Sequence, residues 1–147
     1  MIAIKYTLLL IIFITSTSIG ILLSKRSVHR VIELKEFKKT INMIENKMKF
    51  TYEPLGEIFY DIHINSNGTI SEIYKDASEL IKTMSTKQAW NQAIKQNEEK
   101  LYIDTEDKNT ILNLGKMLGT TDIEGQVSEL ELTLSFIDIQ ISKAEEE

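Results

Sequence analysis

Leu130-Glu131-Leu132-Thr133-Leu134-Ser135-Phe136 alternates apolar and polar side chains at every step, and taken alone it reads as a half-buried strand. The same region also fits a helix, because Val127, Leu130, Leu134, Ile137 and Ile141 step by three and four. The helix wins on three grounds. Thr121 followed by Glu124 reads as a capping box that starts a helix. The periodic segment has helical length, and no other segment offers a partner strand. The chain is therefore expected to be all-α. Leu132, Phe136 and Ile139 then fall on a second apolar face. A helix apolar on two faces needs two partners, either within the domain or in another subunit.

Immediately upstream lies Leu114-Gly115-Lys116-Met117-Leu118-Gly119-Thr120-Thr121-Asp122, with Gln126 beyond it. The Leu-Gly pairs sit four residues apart, so both glycines share one helical face and let another element approach. The stretch reads as a helix end, a tight corner and a helix start. That bare face serves either close packing inside the domain or close approach by a partner. The expected functional surface is this corner: Leu114, Gly115, Leu118 and Gly119, with Asp122 and Gln126 fixing the contact through hydrogen bonds.

Further upstream the elements are short. Thr105 caps a helix through Ile111, Leu114 and Leu118, and Asn97–Asp104 is a connection. Ser85 with Gln88 starts a short helix carrying Ala89, Trp90, Ala93 and Ile94 on one face, with Trp90 as its core anchor. Thr69 with Glu72 starts another, periodic through Ile70, Ile73, Tyr74, Ala77, Leu80, Ile81 and Met84. A helix through Leu55, Ile58, Phe59 and Ile62 is bounded by Pro54 and by Asn65-Ser66-Asn67-Gly68. Before it, Val28, Val31, Ile32, Phe37, Ile41, Ile44 and Met48 give one long helix from the N-terminus to about Phe50. Glu145-Glu146-Glu147 reads as a solvated tail whose charge opposes the helix dipole and frays the end.

Tyr6–Leu23 has no charged residue and, as a helix, spans roughly 27 Å, close to the ~30 Å hydrocarbon core. A cleaved signal peptide is the competing reading, with Ser16–Gly20 as its cleavage region. Lys25, Arg26 and Arg30 directly after the span favour a retained anchor and are expected to touch anionic headgroups. The expected division is 1–24 as the membrane anchor and 25–147 as a cytoplasmic helical domain, by the positive-inside rule.

The 147 residues contain no cysteine and carry a net charge of −5, which leaves out disulfides and thiol chemistry and gives no basis for nucleic-acid binding. His63-x-Asn65-x-Asn67-Gly68 has the look of a calcium loop, but His63 stands where Asp is needed and Tyr74 where a bidentate Glu is needed. His29 and His63 are far apart, with no nucleophile motif beside either. Asp104, Glu106 and Asp107 read as favourable charges at a helix N-terminus. Gly115-x-x-x-Gly119 lacks the Lys-Ser/Thr of a phosphate loop. No catalytic, metal or cofactor site is expected.

Several features together resemble the stage III sporulation protein AB family of endospore-forming bacteria. They are the N-terminal span, the basic neck, Tyr52-x-Pro54-Leu55, Ala89-Trp90-x-x-Ala93, and Leu114-Gly115-x-x-Leu118-Gly119-x-x-Asp122 running to Gln126. Gly125, a poor helix former, departs from the pattern. The resemblance implies a non-enzymatic, single-pass component of the channel linking mother cell and forespore. It implies a domain in the mother-cell cytoplasm, remotely similar to type II secretion and type IV pilus platform proteins. Its implied partners are the membrane and other channel proteins, including a secretion-type ATPase, with self-association left open. The rival from another class is a signal-anchored helical sensor or dimerisation module. Breaks at Pro54, Asn67-Gly68 and Gly119 count against its long heptads.

Overall fold

The computed structural model describes residues 2–120 and 122–146. Six α-helices follow in order: α1 (Ile2–Phe50), α2 (Leu55–Asn65), α3 (Gly68–Leu80), α4 (Thr86–Asn97), α5 (Thr105–Met117) and α6 (Ile123–Glu146), with a 3₁₀ turn at Glu98–Lys100. No strand occurs among the described residues. The alternating stretch at 130–136 lies inside α6, as helical spacing predicts.

α1 is a single helix with two environments. Its first half is one helix long and apolar enough to cross a membrane, with a mean hydropathy of 2.2 over its most apolar window and none of that window buried. Its hydroxyls bond back to the same helix: Thr15 to the Ile11 carbonyl (2.9 Å), Thr17 to Phe13 (2.8 Å) and Ser18 to Ile14 (2.8 Å). Such back-bonding takes these three polar hydrogens off the surface of the helix. The second half turns Leu34, Phe37, Ile41, Ile44 and Met48 inward. Val28 and Ile32, expected on that stripe, are instead each 56% exposed. The stripe runs back from Phe37 through Leu34 to Arg30, on the other side of the helix.

The other five helices close a ring with α1: α2 packs on α1, each of α3, α4 and α5 on its predecessor, and α6 on both α5 and α1. Phe37, Phe59, Tyr74 and Trp90 fill the centre at 0% exposure. The rings of Phe59, Tyr74 and Trp90 meet pairwise at 5.3–5.7 Å. Aromatic clusters of this kind combine large apolar burial with preferred edge contacts. The Tyr74 hydroxyl donates to Thr40 Oγ1 (3.0 Å), and burial pushes its phenol well above the ordinary range.

Capping boxes start α4 and α5, while α2 and α3 begin without a side-chain cap; two helix starts and the end of α6 depart from expectation. The Ser85–Gln88 box at α4 is present. At α5 the cap is Asp104, not Thr105. Its side chain accepts from Asp107 N (2.8 Å), while Asp107 accepts from Asp104 N (3.0 Å). At α3 the box expected at Thr69 does not form, because Gly68, at φ +65°, is already the first helical residue. A residue inside the helix cannot take the extended conformation a cap requires. The tail does not fray within the described residues: α6 continues to Glu146, with Ala144 buried and Glu145 paired to Lys35 (2.5 Å).

Candidate functional site

The corner between α5 and α6 is built from both sequence neighbours and α4. Gly115 lies directly under Trp90. A Cβ there would come within 2.4 Å of the indole Cδ1. Trp90 Nε1 donates to the Ile111 carbonyl (2.8 Å), which holds the indole flat along α5. Gly119 takes φ +78°, and a Cβ there would lie 2.8 Å from Thr86 Oγ1. Its N–H donates to Gln126 Oε1 (2.8 Å), stitching the end of α5 to the first turn of α6. Asp122 Oδ1 accepts from Gly125 N (2.9 Å), the third helical residue. Asp122 is therefore the observed cap. Thr121, expected in that role, lies outside the described residues. Gly125 serves here as a first-turn donor. Asp122→Ala is expected to cost about 1 kcal/mol, read as a lowered melting temperature of the full chain in detergent micelles.

Four of the six corner residues therefore face this chain's own interior. Leu114, Gly115, Leu118 and Gln126 are buried, while Gly119 and Asp122 are exposed. Gly119 combines left-handed backbone with a neighbour that a Cβ would strike. A bulky substitution there strains the fold before it can report on any partner.

The neck is the second site. Lys25 and Arg26 are exposed. Arg30, expected at the membrane surface with them, is instead 6% exposed. Its guanidinium grips the fully buried Asp107 through Nε (2.7 Å) and Nη2 (3.1 Å), and Nη2 also meets Asp104 (2.8 Å). The carboxylates that cap α5 are thus the ones that hold α1. Two residues around this pair pin the 98–104 connection to the same turn of α1. His29 stacks on Tyr102 at 4.6 Å, and Tyr102 N donates to Glu33 Oε2 (2.6 Å). Half-burial pushes the Glu33 carboxyl above its ordinary range, opposed by the backbone of Tyr102, by His29 and by the backbone of Ile103.

The remaining basic residues of the neck are largely matched within the chain. Lys35, Lys38 and Lys49 pair with Glu145, Asp138 and Glu131 (2.5, 2.6 and 3.1 Å), so α6 runs antiparallel along α1. Exposed pairs of this kind are each worth about 0–1 kcal/mol, and what they contribute is register. Lys47 bridges to Asp61 (2.6 Å) and Glu53 (2.9 Å), and these bonds raise its ammonium pKa. His63 Nδ1 meets Ser71 Oγ at 2.8 Å, but that hydroxyl donates to the His63 carbonyl (2.9 Å). The pair therefore staples α2 to α3 and is not an activated nucleophile.

A helix of membrane-spanning length and apolarity, continuous with a closed ring of helices, defines an all-α domain. The family model for stage III sporulation protein AB matches residues 5–147, and the chain belongs to that family. A solved structure described as stage III sporulation protein AB superposes with a TM-score of 0.77 at 19% identity. The alignment covers 82% of this chain and 96% of that one, so the two share the fold. No curated protein matches the chain. Membership in this family is consistent with a component of the sporulation channel and, together with the N-terminal helix, with membrane anchoring.

Proposed function

We propose that this protein is an assembly platform in the mother-cell membrane bounding the forespore, with residues 25–147 in the cytoplasm. There it couples a secretion-type ATPase to the membrane ring of the channel, and it catalyses no reaction itself. The family match over nearly the whole chain supports this reading most directly. A mechanical observation adds to it. α1 passes without a break from the apolar span to Phe50, and the buried Arg30–Asp107 pair locks it to α5 just beyond the span. A load applied to the domain would therefore reach the bilayer through a stiff lever rather than a loose linker. Lys25 and Arg26, which remain exposed, are the neck residues proposed to contact anionic headgroups, at about 1 kcal/mol each. At the corner, the exposed edge of Gly119 and Asp122 is the part proposed to meet a partner, while Leu114, Gly115, Leu118 and Gln126 hold its shape.

Topology is the test. With no native cysteine, Glu146→Cys provides one label site. With the chain made in non-sporulating cells, where its membrane faces the medium, a membrane-impermeant maleimide is expected to label it only after the cells are lysed. Labelling of intact cells would put the domain beyond reach of a cytoplasmic ATPase and sink the coupling.

A further inference from the structure

α6 carries a seven-residue repeat on several of its faces. Glu131, Asp138 and Glu145 recur at that step and pair with lysines of α1. Leu130, Ile137 and Ala144 recur likewise and are buried. Ser128, Ser135 and Ser142 recur on the outer side, all exposed. Between the serine edge and α5 lie Leu132, Phe136 and Ile139, exposed by 49%, 49% and 53%. Their steps of four and three are those of a coiled-coil seam. With Met117 of α5 they line a groove of about 500 Å³.

We propose that this face is a parallel seam to a second copy of the chain in the same membrane. Together, α5 and α6 of the two copies form a four-helix layer. The inference rests on the membrane-anchor reading, because the anchor fixes the direction of pairing. α6 runs antiparallel to α1, so copies rooted in one bilayer present their α6 helices side by side and parallel. Leu132, Phe136 and Ile139 then each meet their own counterpart. The small serine edge leaves room for the α5 of the second copy.

Charge fits the same arrangement. Lys143 pairs with Glu106 at one end of the groove (3.0 Å). The Thr110–Gln140 and Gly119–Gln126 bonds set α5 antiparallel to α6, which brings Lys116 level with Glu129 at the other end. Each end thus holds one acid and one base. Across a two-fold axis, Lys116 of one copy offsets the meeting of two Glu129 carboxylates. In a parallel seam, the residue facing Gln140 from the other helix is Ser135, small enough to let the two helices approach. Three apolar layers make a weak seam by themselves. Tethering both copies in one bilayer supplies the effective concentration it needs.

The test uses the full chain in phosphatidylglycerol–phosphatidylethanolamine vesicles, with Ser128→Cys, Ser135→Cys and Ser142→Cys made one at a time and treated with a short bismaleimide. Flotation with the vesicles first checks the anchor. Each variant is then expected to give a dimer band roughly tenfold stronger than Gln92→Cys on α4. Adding Phe136→Glu to Ser135→Cys is expected to reduce the band to that control level with the far-ultraviolet spectrum unchanged. Bands no stronger than the control in floated vesicles would overturn the seam while leaving the anchor standing. Cross-linking of Ser128→Cys only when mixed with Ser142→Cys would mean antiparallel pairing and would overturn it too. Failure to float would instead overturn the anchor, and the ground for a parallel pair with it.

Discussion

Asp107→Ala is expected to destabilise the folded domain by about 3–5 kcal/mol, among the largest single-residue losses in the chain. Asp107 is fully buried, and Arg30 is 6% exposed. Removing the carboxylate takes two hydrogen bonds from a guanidinium that stays out of water, beside the half-exposed Asp104. An uncompensated buried charge costs far more than the intact pair contributes, because the attraction goes while the desolvation stays. The same carboxylate accepts from Asp104 N, so the start of α5 also loses the reciprocal half of its capping box, while the Asp104 cap on the backbone N–H of residue 107 remains. Thermal melting of the full chain in detergent micelles should show a drop of roughly 10 °C or more. The double variant Arg30→Met/Asp107→Leu separates the explanations. It removes both charges and keeps apolar volume, so most of the lost stability should return. If the double variant melts as low as Asp107→Ala, the loss comes from the cap and packing rather than from the stranded charge.

The helices are legible in the sequence because each carries its own period, and α4, α5 and α6 carry a cap as well. The spacing at 127–141 places α6 correctly against a tempting strand, and it puts Leu132, Phe136 and Ile139 on a second face that needs a partner in the domain or in another subunit; the fold leaves that face exposed. Arg30 was misplaced for a specific reason. A basic residue seven positions beyond an apolar span looks like a headgroup contact, and its distant partner lies 77 residues away. The local signal was nevertheless present. Stepping back from Phe37 by three and then four lands on Leu34 and Arg30, so Arg30 sits on the buried stripe. A charge on an apolar stripe calls for an acid elsewhere, and Asp104, Glu106 and Asp107 were the cluster to search. Val28 and Ile32 misled in the opposite direction. They are apolar but lie off that stripe, where hydrophobicity alone does not decide burial.

The two glycines of the corner were recognised as sites of close approach, but which element approaches depends on tertiary packing that no spacing encodes. That element is α4, and Gly115→Leu is expected to destabilise the domain by about 3 kcal/mol or more. The added Cβ alone would stand 2.4 Å from Trp90 Cδ1, well inside contact distance. The indole has no path of retreat. It is fully buried, meets Phe59 and Tyr74 at 5.6 and 5.3 Å, and is held by its bond to the Ile111 carbonyl. Helix propensity works the other way, since replacing an interior glycine gains up to about 1 kcal/mol. That gain is smaller than the cost of prising α5 from α4. Gly20→Leu is the matched control, because a Cβ there meets nothing within 4 Å and the position lies in the apolar span. Melting curves of the two variants in the same micelles should separate by roughly 10 °C. Equal melting temperatures would mean that α5 can slide away from Trp90, and that the corner, with the groove between α5 and α6 beside it, is softer than its packing indicates.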